Sequence, residues 1–219
     1  MEKKGFFRQV RFILPICLFI LLVSSPIGAQ TNYPIHVVTP SYIEASTLLP
    51  LTGDDASLLM TLPFPFTFYG ATYNQAYVNT NGYLNFLAGQ SYSYNRCIPR
   101  STPPNGAIYV FWDDLDVDKN ASVRTELRGT APKRLFVIEW RNVTFFDDGV
   151  NRIDFEIILY ETGTILLQYR NIAPNVLREM GNSATIGVEN PTGDAAAQFS
   201  CNTAALGSPT LGSATLGSG

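Results

Sequence analysis

From Leu58 to Phe68 every even position is apolar: Leu58, Met60, Leu62, Phe64, Phe66 and Phe68. A period of two is the side-chain spacing of one buried sheet face, and a helix would scatter this set around its axis. The odd positions include Thr61, Pro63, Pro65 and Thr67. Proline cannot donate to a sheet ladder, so this strand is expected at an edge, or broken near Pro63 and Pro65. Gly70 ends it.

The same signal recurs along the chain. Tyr77–Thr80 and Tyr83–Phe86 flank Asn81-Gly82, a pair that tolerates positive φ and marks a hairpin. Ile108–Trp112 and Leu135–Trp140 are compact apolar strands. Ile153, Phe155, Ile157 and Leu159 alternate with Asp154, Glu156, Ile158 and Tyr160, and Glu161-Thr162-Gly163 turns this strand into Thr164–Arg170. Ala184–Glu189 and Ala196–Ser200 close the series, and only Asn175–Met180 is weakly helical. Roughly ten short strands at regular spacing predict an all-β fold, an antiparallel β-sandwich with little or no helix apart from an N-terminal signal segment.

The two ends read differently. Lys3, Lys4, Arg8 and Arg11 precede an apolar run, Phe12–Val23, and a small-residue stretch ending at Ala29. Basic, apolar and small in that order is the pattern of a secretory signal peptide. The run is shorter than the roughly 20 residues of a membrane-spanning helix. Residues 1–29 are therefore read as a signal peptide, the alternative being an uncleaved membrane tether. Residues 30–56 are expected to form an N-terminal extension and first strand, and 57–205 the sandwich. At the other end LGSPT, LGSAT and LGSG repeat with a period of five, so residues 206–219 are expected to be a flexible tail.

Composition narrows the chemistry. The net charge is −3, and losing residues 1–29 would make the chain more acidic, which argues against nucleic acid as a partner. His36 is the single histidine, so a metal site built from several histidines is excluded within one chain. Cys17 would leave with the signal peptide. Cys97 and Cys201 remain, and export permits them to pair as a disulfide, with two free thiols as the alternative.

Two segments carry candidate sites. In Trp112–Asn120, Asp114, Asp116 and Asp118 alternate, and an extended chain would put all three carboxylates on one side as ligands for calcium. An EF-hand is excluded, because Lys119 stands where its glycine belongs and Thr125 where its bidentate acid belongs. The alternative is a solvated acidic loop in which Asp113 or Asp114 accepts backbone hydrogen bonds. Asp54-Asp55 and Asp147-Asp148-Gly149 read as turn chemistry, able to complete an acidic site only in three dimensions. In Ser91–Arg96, Tyr92 and Tyr94 alternate with serines outside any clear strand. Tyr, Ser and Asn suit adaptable recognition, so both tyrosines are candidate ligand-binding residues, against packing around Cys97. No carboxylate pair stands out as a glycosidase couple.

Five blocks together resemble a known family. They are LPFPFTFYGATYNQAYVNTNGYLNF (62–86), AIYVFWDDLD (107–116), RLFVIEWRNV (134–143), IDFEIILYETGTILLQYRNI (153–172) and ATIGVEN (184–190). In this order they are similar to bacterial exported modules related to the nidogen extracellular domain, of the kind appended to secreted proteins such as subtilisin-like peptidases. Glu156 stands where that group carries glutamine. The resemblance implies an extracellular, non-catalytic, adhesive module and brings no ligand residue with it.

The expected function is therefore binding or adhesion at the cell surface or in the extracellular matrix, to protein or glycan. No cofactor is needed, and calcium is the one candidate. The loops Ala88–Pro104 and Asp113–Asn120 are the expected surfaces. A structural surface-layer or spacer subunit is the alternative, and a secreted hydrolase a remote one. Prolines at the edge strand favour a monomer.

Overall fold

A computed structural model describes residues 33–39 and 41–206 and the backbone of 213–216. The expected signal peptide, with Cys17, lies outside the described residues. The strands are β1 (Ile35–Val38), β2 (Thr47–Leu48), β3 (Ser57–Phe68), β4 (Ala71–Asn79), β5 (Tyr83–Asn85), β6 (Ala107–Trp112) and β7 (Leu115–Asp116). There follow β8 (Ser122–Arg128), β9 (Leu135–Phe145), β10 (Asp148–Tyr160), β11 (Ile165–Arg170), β12 (Thr185–Glu189), β13 (Ala196–Cys201) and β14 (Ser213–Leu216). The fold is an all-β antiparallel sandwich. One sheet runs β13-β12-β6-β5-β4-β3 and the other β1-β14-β11-β10-β9-β8-β2, with β7 paired to β9.

β3 is an edge strand, and its register to β4 slips between Thr61 and Phe66, across the two prolines. Leu62, Phe64, Phe66 and Phe68 point into the core, with Leu58 and Met60 packed at its margin. From the facing sheet come Ile138, Trp140, Phe155, Ile157, Ile165 and Leu167. Trp140 stacks on Phe155 at 5.3 Å and donates its indole N–H to the Asn79 carbonyl at 2.9 Å. A buried indole thus keeps both its apolar contact and its hydrogen bond.

The β4–β5 hairpin closes with Thr80, Asn81 and Gly82 in its loop, one residue longer than the two-residue turn expected from Asn-Gly. Gly82 (φ +73°) accepts hydrogen bonds from both Val110 and Phe111 amides. A Cβ here would sit 2.1 Å from the Phe111 carbonyl oxygen, so no other residue fits. Nearby, the β6–β12 register slips between Thr185 and Gly187. Phe111 thereby faces the core while Trp112 joins Tyr83, Tyr109 and Ile98 on the outer face.

Two expectations change. Where a flexible tail was expected, Ser213–Leu216 pairs with β1 on one side and β11 on the other. Ser-Ala-Thr-Leu lacks proline, so each backbone group there is able to join a ladder that two strand edges leave open. The weak helical stretch near Asn175–Met180 forms isolated turns, with single bonds such as Met180 N–H to the Val176 carbonyl. Among the described residues no helix is long and apolar enough to cross a membrane.

Candidate functional site

The outer face of the six-stranded sheet is covered by the loop from Phe86 to Gly106. It has no regular secondary structure of its own, so its backbone must be satisfied by the sheet beneath. The Tyr83 hydroxyl donates to the Gln90 carbonyl at 2.9 Å and accepts from the Tyr92 amide at 3.0 Å. Trp112, stacked on Tyr109 at 4.9 Å, donates its indole N–H to the Tyr92 carbonyl at 2.6 Å. The Ile98 amide donates to Gln198 Oε1 at 2.8 Å, and the Thr185 hydroxyl to the Arg96 carbonyl at 3.0 Å. Cys97 and Cys201 form the expected disulfide, with Cα atoms 5.3 Å apart and 104 residues of separation.

This loop opens a concavity of about 470 Å³ whose lining includes Tyr92, Tyr94, Arg96, Arg100 and Thr102. The two candidate tyrosines differ in role. Tyr92 is half-buried against the Tyr83–Trp112 cluster, and its hydroxyl lies 3.0 Å from Gln90 Oε1. Tyr94 stands 83% exposed and is free to meet a ligand. A second concavity of about 200 Å³, bounded by Leu87, Pro104, Asn105 and Pro191, lies on the other side of Tyr92.

The acidic candidates separate. Asp118 is engaged by Arg152 through two bonds of 3.0 and 2.7 Å, and that hydrogen bonding holds its carboxyl below the usual range. Asp116 lies on β7 opposite Thr144. Asp113 is buried, accepts from Ser183 Oγ at 2.6 Å and from the Asp114 amide at 2.9 Å, and is pushed up to about 6 by burial. The expected set Asp114, Asp116 and Asp118 is therefore not the group the fold assembles. Asp114 instead meets Asp54 and Asp55, with ligand oxygens all within 4.8 Å of one another. The Gly53–Val117 bridge, with backbone bonds of 2.9 and 3.0 Å, brings the two segments together.

Three carboxylates this close either share protons or hold a hard cation. Asp54 carries the tension: burial first, then the charges of Asp55, Asp114 and Asp116, raise it to about 6. Its Oδ1 is buried and accepts no hydrogen bond. Asp55 is better served, accepting from Asn81 Nδ2 at 2.7 Å. The doublet Asp54-Asp55 was visible in the sequence, but its neighbour comes from a bridge of single residues that carries no periodicity.

Comparison with known proteins agrees with this fold. The family model described as NIDO related matches residues 32–217. The chain belongs to the NIDO-related family. Nidogen of Drosophila melanogaster is 27% identical over 134 residues, which is 51% of this chain and 10% of that protein. The chain thus spans about a tenth of the length of the relative it matches. No solved structure gives a significant match. A NIDO-related module of this kind fits an extracellular, non-catalytic part.

Proposed function

We propose that this chain is an extracellular binding or adhesion module for a protein or glycan of the cell surface or matrix, acting without catalysis. The observation that carries this reading is the Phe86–Gly106 loop. It is fixed to the sheet by a disulfide, aromatic hydroxyls and side-chain amides, yet leaves Tyr94 and the arginines of a concavity open. Binding surfaces are commonly loops held on a rigid sheet scaffold, because a pre-ordered loop loses little entropy on contact. Pro63 and Pro65 on the edge strand β3 hinder edge pairing, which supports a monomer. Where calcium takes part, its ligands are Asp54, Asp55 and Asp114.

The test is binding of the purified chain to immobilised matrix proteins and glycans, first with calcium and then with chelator. Specific binding lost in Tyr94→Ala supports the reading. Silence across the panel together with large assemblies on size-exclusion chromatography contradicts it in favour of a structural subunit.

A further inference from the structure

Among the described residues most arginines of this acidic chain are neutralised by a carboxylate. Arg128, Arg134, Arg141, Arg152, Arg170 and Arg178 each face a carboxylate within 4.0 Å. Arg124 donates to the Ser46 carbonyl and the Ser122 hydroxyl. Of the three described arginines that form no ion pair, Arg96 and Arg100 both line the 470 Å³ concavity, and Arg100 also lies within electrostatic reach of Glu189. Among the described residues Arg96 makes no side-chain hydrogen bond, and Arg100 uses only its Nε, toward the Thr102 hydroxyl. No carboxylate lines the space.

Both guanidinium stems rise from fixed backbone. Arg96 precedes the disulfide and its carbonyl is held by Thr185, while the Arg100 amide donates to the buried Glu189 carboxylate. We propose that this concavity takes an acidic glycan, a sugar chain bearing carboxylate or sulfate groups. This deepens the binding role above and rests on it. The guanidinium fork matches the geometry of a carboxylate or sulfate and binds it through paired, charge-assisted hydrogen bonds. Tyr94 offers an open ring face to a sugar, and Ser91, Ser93 and Thr102 offer hydroxyls. A glycan is favoured over an acidic peptide because no strand runs through this loop, so a peptide backbone finds no sheet edge to join.

The full chain is titrated with polygalacturonate, dextran sulfate, neutral dextran and polyglutamate by affinity electrophoresis. The two acidic polysaccharides retard it, the more so at low salt. Arg96→Ala and Arg100→Ala each weaken this about tenfold, whereas Arg124→Ala leaves it unchanged. An unchanged melting temperature of each variant separates lost binding from lost fold. Polygalacturonate alone, or dextran sulfate alone, assigns carboxylate or sulfate as the group read. Equal retardation by neutral dextran or by polyglutamate, or an equal loss of retardation in Arg124→Ala, overturns the inference. If Tyr94→Ala abolishes binding to a neutral glycan or matrix protein and the arginine variants do not, the acidic ligand is wrong and the binding role stands. If no loop variant alters any binding, both fail.

Discussion

The two outer faces of the sandwich meet the same difficulty and solve it differently. Each is crossed by an irregular segment whose backbone amides need partners. On the six-stranded sheet the Phe86–Gly106 loop rests on aromatic rings and is fastened by a disulfide. On the eight-stranded sheet a short strap, Ser41–Ser46, is held by a row of acidic and amide side chains. The amides of Ser41, Ile43, Ala45 and Ser46 donate to Gln168 on β11, Glu156 on β10, Glu139 on β9 and Glu126 on β8, at 2.6 to 3.1 Å. Glu156 is in register with both Gln168 and Glu139, so adjacent strands supply one acceptor each.

The difference is one of purpose. The strap lies over side chains that have no other use: Glu139 and Glu156 are fully buried beneath it, and Arg141 and Arg170 balance Glu139 at 2.7 and 3.5 Å. The loop leaves its most polar side chains facing outward. An acceptor row buried beneath a covering segment holds a structure, and a cation without an ion pair offered to solvent suits a ligand.

Breaking the loop clamp should have the largest effect. Replacing Cys97 and Cys201 by serine removes a cross-link over about 100 residues, a loss of roughly 4–5 kcal/mol in the chain-entropy account. The expected outcome in calorimetry is a melting temperature lower by about 10 °C. The strap should be nearly as sensitive at one point. Glu139→Ala strands Arg141 and the Ala45 amide, while Arg170 keeps Glu44 and Asp154, and should cost about 3 kcal/mol in urea unfolding.

Glu156 sharpens the comparison through pH. Burial chiefly raises its carboxyl to about 8, above the ordinary 4.5, and its Oε2 accepts no hydrogen bond. The folded chain therefore keeps a proton that the unfolded chain releases, so stability is full below about pH 4.5 and is lost as pH rises to about 8. Glu156→Gln keeps the acceptor for the Ile43 amide and cannot ionise. It should stabilise the protein at pH 8 by roughly 2 kcal/mol and much less at pH 4.5. A melting temperature difference that does not grow with pH contradicts this.

The smallest effect concerns the acidic corner beside the loop. Calcium should raise the melting temperature by a few degrees, about 1 kcal/mol of linkage. Asp54→Asn and Asp114→Asn should each remove the increment. Asp118→Asn should preserve it while weakening the Arg152 pair. A calcium effect lost only in Asp118→Asn would restore the contiguous Asp114–Asp118 site.

The sequence made the core legible because burial on one face leaves a period of two, as in Leu62–Phe68. The strap was not legible. Glu156 and Ile158 alternate with the core-facing set of β10, yet a segment more than a hundred residues away covers them. Glu156 in place of the family glutamine was visible as a departure, and its proton becomes apparent only once the strap is in place. β2 and β7, of two residues each, are too short to show alternation. The disulfide followed from counting. The pairing of Asp54 and Asp55 with Asp114, and the gathering of Arg96 with Arg100 in one concavity, depend on loop paths that no local pattern records.

The central claim is that the loop face is the binding face and the strap face is structural. The most direct test compares two exposed-residue variants, Tyr94→Ala on the loop and Glu44→Ala on the strap, against the same panel of immobilised matrix proteins and glycans. The prediction is that the wild type and Glu44→Ala bind the same partner while Tyr94→Ala loses it. Binding that survives Tyr94→Ala and disappears in Glu44→Ala would contradict the account.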